Sequence, residues 1–121
     1  MSTRGFVGTG DNAMIAGVII GSGDHPLVVL RVLGETLTAA GISEPLLDPT
    51  MELFDQNGTA LDFNDDWNDG QPQAVIATEL APSDDRESAL VAFLAPGNYT
   101  AVVRGKDNTT GVALVEAYRF P

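Results

Sequence analysis

The sequence predicts an all-β fold, two antiparallel sheets packed as a jelly-roll-like β-sandwich with about eight strands and at most one or two short helical turns. Three observations predict it. Apolar runs are short and are separated by clusters of glycine, proline, asparagine and aspartate. Asn57-Gly58 sits between two such runs, a strong hairpin signal because both residues tolerate positive φ. The last two runs also alternate in the manner of strands: Tyr99, Ala101 and Val103 share one face, opposite Thr100, Val102 and Arg104.

In chain order the expected strands are Gly5–Thr9, Ala13–Ile20, Leu27–Leu33, Thr50–Asp55, Thr59–Phe63, Ala89–Leu94, Asn98–Arg104 and Val112–Phe120. Ala13–Ile20 and Leu27–Leu33 are almost continuously apolar, as expected of strands covered on both faces. In the final run Val112, Leu114, Glu116, Tyr118 and Phe120 form the bulkier face, opposite Ala113, Val115, Ala117 and Arg119. Glu116 on that face places it near a sheet edge. Glu35–Ala40 reads as a single helical turn stopped by Gly41, and Gln73–Leu80 as another before Pro82. There is no internal repeat and no low-complexity segment.

A chain of 121 residues fits one domain spanning 1–121. Without cysteine there is neither a disulfide framework nor thiolate metal ligation. Six basic residues stand against seventeen acidic ones, for a formal charge of −11, and Lys106 is the single lysine. Such a surface repels phosphate backbones and anionic lipid and attracts divalent cations. No run is long enough to span a membrane, and Met1–Phe6 lacks the basic start and apolar core of a signal peptide.

One place gathers hard oxygen ligands. Asn64, Asp65 and Asp66, with Asp55 before them and Asp69 after, offer the carboxylates and amide oxygens that calcium takes in sets of six to eight. The EF-hand spacing is absent. The competing reading makes Asp55 and Asn57 turn formers and lets Asn64–Asp66 end a strand by bonding backbone amides. Trp67, next to the cluster, is a candidate sugar-stacking platform or the closure of a core edge. His25 is the lone histidine; with Ser22 and Asp24 it is too local for a nucleophilic triad. The glycine turns at Gly8–Gly10 and Gly21–Gly23 complete no phosphate-binding fingerprint. The Asn-x-Thr triplets at Asn57, Asn98 and Asn108 follow turn logic.

Leu53–Trp67 together with Leu94-Ala95-Pro96-Gly97-Asn98-Tyr99-Thr100-Ala101-Val102-Val103 resembles the bacterial pre-peptidase C-terminal domain. That resemblance covers roughly the second half of the chain and implies a secreted, often calcium-bound β-sandwich attached to enzymes or repeated in surface proteins. The whole chain also resembles a repeat unit of large secreted proteins of environmental bacteria, through Ser2–Asn12, Arg31-Val32-Leu33-Gly34 and Arg86-Glu87-Ser88-Ala89-Leu90. The last strand departs from the pre-peptidase pattern, with Val112-Ala113 where that pattern places a tyrosine.

The expected function is a non-catalytic structural or adhesive module, outside the cell or on its surface, stabilised by calcium. Its expected partners are neighbouring copies or other domains of a parent protein, with polysaccharide as a further candidate; nucleic acid and membrane insertion are not expected. Two alternatives stand beside it: a filament subunit assembled by strand exchange through Ala13–Ile20, and a carbohydrate-binding module. An enzyme is not expected, because the chain offers no nucleophile–base pair. The charge carries a test. Self-repulsion among the acidic groups weakens the compact state, so raising monovalent salt from low to physiological levels raises the melting temperature by screening; a fall would contradict this reading.

Overall fold

A computed structural model describes residues 1–120. It contains eight strands among those residues: β1 (Ser2–Val7), β2 (Met14–Ile20), β3 (Leu27–Leu33), β4 (Pro49–Phe54), β5 (Ala60–Asn64), β6 (Ser88–Phe93), β7 (Gly97–Gly105) and β8 (Gly111–Phe120). They form two four-stranded antiparallel sheets, ordered β1-β8-β3-β6 and β2-β7-β4-β5. The architecture is the expected β-sandwich.

Its core is the space between the two inner faces. Val28, Leu30, Val32, Ala113 and Val115 from the first sheet meet Ala16, Met51, Leu53, Ala101 and Val103 from the second. Inward residues recur every second position, as strand geometry requires. In β3, Val28, Val29 and Leu30 are all buried, so this strand is covered on both faces as its apolar run predicted.

Helical turns cover the outer face of the neighbouring strand β6. α1 (Trp67–Gly70) and α2 (Pro72–Ala77) lie against the outer face of β6, where Trp67, Val75 and Ala89 form a second apolar cluster with Ala81 and Val91 packed against it. Proline opens α2 at the position where its missing N–H costs nothing. α2 occupies much of the expected Gln73–Leu80 turn, whereas α1 has no counterpart in the sequence reading. Glu35–Ala40 is a 3-10 turn closed by Gly41 in the left-handed conformation, φ 89°. Two further 3-10 turns occupy Gly10–Asn12 and Lys106–Asn108.

Three expectations are corrected. β1 begins at Ser2, opposite Glu116, and stops at Val7, because Gly8–Asn12 closes a turn with the Gly8 N–H on the Asn12 carbonyl at 2.9 Å. β2 is an edge strand with one open face, and Ile15 and Ile19 are 65% and 77% exposed. In β8 the smaller face, Ala113 and Val115, turns into the core. Glu116 thereby points outward from an interior strand and pairs with Arg31 Nε at 2.6 Å. Arg31 also donates to the Leu80 carbonyl and lies over the Tyr118 ring, while the Tyr118 hydroxyl donates to the second Glu116 oxygen. A carboxylate facing the valine core would find no such partners.

The segment Asp84–Glu87 enters β6 through a buried carboxylate. Glu87 is fully buried. It accepts hydrogen bonds from the Gly34 N–H at 2.6 Å, the Thr36 N–H at 3.0 Å, the Thr36 hydroxyl at 2.6 Å and the Asp84 N–H at 3.2 Å. Truncating Glu87 to alanine strands these buried donors, so Glu87→Ala costs on the order of 3 kcal/mol or more in denaturant unfolding, and Glu87→Gln, which keeps one acceptor, costs less. Equal losses for the two variants would show that volume, not hydrogen bonding, fixes this position.

Candidate metal centre

Three chain segments meet at one end of the second sheet. Asp48 immediately precedes β4, Asp65 and Asp66 immediately follow β5, and Lys106 immediately follows β7. The sheet register brings them together: Pro49 lies opposite Gly105, Met51 opposite Asn64, and the Lys106 N–H donates to the Asp48 carbonyl at 2.8 Å. The Ser88 hydroxyl lies 2.6 Å from the Pro49 carbonyl oxygen and 2.7 Å from that of Asp65, tying the two acidic segments to one point on β6.

Carboxylate oxygens of Asp48, Asp65 and Asp66 lie within 4.8 Å of one another. One oxygen of each, Oδ1 in all three, is shielded from solvent and has no hydrogen-bond partner among the described residues. Lys106 Nζ approaches Asp65 Oδ2 at 2.8 Å and supplies one positive charge. That leaves the group short of neutrality by two charges when all three aspartates are ionised. Three hard carboxylates and an uncompensated double charge suit a divalent cation bound through oxygen.

The electrostatics register the crowding. Burial first, then a hydrogen bond with Asp65 and the charges of Asp65 and Asp66, push the Asp48 carboxyl up to about 6, against an opposing pull from Lys106. Asp48 therefore holds its proton more tightly than a free aspartate does. Asp66 is also pushed up, by burial and then by the charge of Asp65. Lys106 is held charged by its bond to Asp65.

Of the residues singled out from sequence, the structure brings Asp65 and Asp66 into this group and leaves the others apart from it. Asn64 is buried, and its amide is committed elsewhere: Oδ1 accepts from the Ala89 N–H at 3.0 Å and Nδ2 donates to the Asp66 carbonyl at 3.1 Å. It ends β5 by bonding backbone, as the competing reading held. Gly70 presses against this amide; a Cβ there would meet Asn64 Nδ2 at 2.6 Å. Asp55 lies at the opposite end of the β4–β5 hairpin, where its Oδ1 accepts from the Asn57 and Thr59 N–H groups at 2.9 and 3.0 Å. Asp69, in α1, acts on Asp66 through its charge but is not among the three clustered carboxylates. Trp67 is buried against Val75 and Ala89, so its ring presents no stacking face to solvent. Asp48 escaped the sequence reading. Its local signal is only that of an Asp-Pro turn, and its place in the group follows from strand pairing.

No known family profile matches the chain, and no curated protein matches it. Among solved structures, the chain is similar to the pre-peptidase C-terminal domain of a collagenase from Bacillus anthracis, with a TM-score of 0.61 at 15% identity over 98% of this chain and 88% of that one. The chain has the pre-peptidase C-terminal fold. The likeness runs through the whole sandwich, beyond the second half in which the sequence motifs lie.

The raised Asp48 carboxyl makes stability depend on pH. Its folded value lies above the unfolded one, so folding takes up a proton between about pH 4 and pH 6, and stability falls as pH rises through that window. The penalty is complete above about 6. In chelator, Asp48→Asn, whose amide can donate to Asp65, melts above the parent at pH 7 by about 1 kcal/mol after allowance for solvent screening. The difference closes at pH 4. A variant less stable than the parent at pH 7 would show that the Asp48 charge supports the fold.

Proposed function

We propose that this chain is a non-catalytic structural or adhesive β-sandwich module of a secreted bacterial protein, stabilised by calcium at Asp48, Asp65 and Asp66. The observation that carries the reading is the convergence of three carboxylates, each with a solvent-shielded, unpartnered oxygen. The pre-peptidase C-terminal fold supports it, since the similar structure is a domain of a collagenase. Among the described residues no helix is long and apolar enough to cross a membrane. Calcium bound here offsets the repulsion among the three carboxylates and competes with Lys106 for Asp65. It thereby exchanges internal compensation for a stronger external one. Neighbouring domains of a parent protein are the partners this role implies. The carbohydrate-binding reading loses its best platform with the burial of Trp67.

The test is thermal melting in calcium, magnesium and chelator. A hundredfold excess of calcium over its dissociation constant adds about 2.7 kcal/mol, moving the midpoint on the order of 10 °C. Magnesium does less, because it dehydrates reluctantly and demands a tighter octahedron. Asp65→Asn with Asp66→Asn abolishes the calcium shift, whereas Asp55→Asn leaves it intact. Lys106→Met increases calcium affinity by removing the competing ammonium. No calcium shift in the parent, or an unchanged shift in the Asp65/Asp66 double variant, overturns the proposal.

A further inference from the structure

A sandwich of two open sheets has four edge strands, here β1, β6, β2 and β5. Edge strands carry unpaired backbone groups, and proteins that stay monomeric blunt them. Three of the four are blunted. On β6 the Gln71 side chain pairs with the backbone of Val91 at both ends, its amide nitrogen Nε2 donating to the carbonyl at 3.1 Å and its Oε1 accepting from the N–H at 3.2 Å. Asn64 takes the Ala89 N–H on the same strand. β5 is only five residues long, and the Asp62 carboxylate folds back onto the Phe63 N–H at 2.8 Å. β1 carries Arg4 at its centre.

β2 has none of these devices. Its sequence, Met14-Ile15-Ala16-Gly17-Val18-Ile19-Ile20, contains no charge, no proline and no side-chain hydrogen-bonding group. It pairs with β7 alone, and among the described residues no other backbone group bonds to it. In a chain of net charge −11, neither β1 nor β2 on this side of the sandwich contains a carboxylate. Two copies meeting here bring no acidic strands together.

We infer that β2 is the interface for a second copy of this chain, paired antiparallel to itself about a two-fold axis at Gly17. With Gly17 opposite Gly17 of the second copy, all seven residues find partners, and side chains that share a face stay on it. The exposed Ile15 then lies across from Ile19 of the other copy, twice by symmetry. On the inner side, half-buried Met14 and Val18 lose their remaining contact with water. The second sheets of both copies become one continuous sheet. Because the contact is the same patch on both chains and the other edges are blunted, assembly closes at the dimer. β2 keeps its pairing with β7, so no strand is exchanged. The inference does not depend on bound calcium.

Two measurements on the full chain test it. Sedimentation across a wide concentration range, in chelator, yields a limiting mass twice the 12.7 kDa of one chain. Ile15→Lys with Ile19→Lys, at exposed positions that the monomer fold tolerates, shifts the protein to monomer. The chain has no cysteine, so Gly17→Cys creates a unique thiol at a site where an added Cβ meets nothing within 4 Å. Directly opposed residues in antiparallel strands are separated by about 4.5–5.5 Å between Cα atoms, within disulfide reach. Mild oxidation therefore cross-links Gly17→Cys into dimers. Ile15→Cys, whose two copies would lie about 13 Å apart along the strands, cross-links at least tenfold more slowly. A parent that is monomeric at its highest soluble concentration overturns the inference. So does equal cross-linking of the two cysteine variants, or growth into open polymers.

Discussion

One hydroxyl holds the acidic end of this molecule together. Ser88 is buried at the start of β6, between the carbonyls of Pro49 and Asp65. Those carbonyls belong to the start of one strand and the end of its hairpin partner. The hydroxyl has one proton and donates to one carbonyl at a time, so it steadies Asp48 and Asp65 where strand register already brings them together. Neighbouring residues repeat the device: Glu87 gathers the Gly34–Thr36 backbone, and Asn64 ties β5 to Ala89. Three consecutive residues of the β6 entry thus hold two sheets, a 3-10 turn and the acidic group in one arrangement. Buried polar networks of this kind are costly when broken and specify a single geometry when whole.

The fold was legible because its signals are local. Gly58 takes the positive φ that the hairpin turn requires, 79°, Gly41 stops the turn before it, and Leu27–Leu33 is apolar at successive positions, Val28, Val29 and Leu30, that are all buried. The orientation of β8 was not legible. Both of its faces carry apolar residues, so Glu116 read as a residue near an edge, whereas it lies on an interior strand and pairs with Arg31, 85 residues away in the chain. β2 misled for a related reason. An apolar strand at an edge looks the same in sequence as one in the middle of a sheet, and only strand order separates them.

The site was legible by half. Asp65 and Asp66 announce themselves as an acidic pair after a hairpin strand. Asn64 has the right oxygen for a ligand, but that oxygen serves a backbone amide across the sandwich. Asp55 is occupied by the turn it creates. Asp48 and Lys106 reach the group through register, since Pro49 stands opposite Gly105. Sequence spacing carries no trace of that pairing.

The pairing of β1 with β8 has a mechanical consequence. Ser2 lies opposite Glu116 and Val7 opposite Gly111, so the first strand runs against the last and their outer ends point to the same pole. Tension applied through the two ends of the chain peels these strands apart one hydrogen bond at a time, instead of loading the ladder in parallel. The sandwich is therefore soft to stretching along its own chain, however firmly its acidic pole is knotted, and it yields first at the end farthest from Asp48.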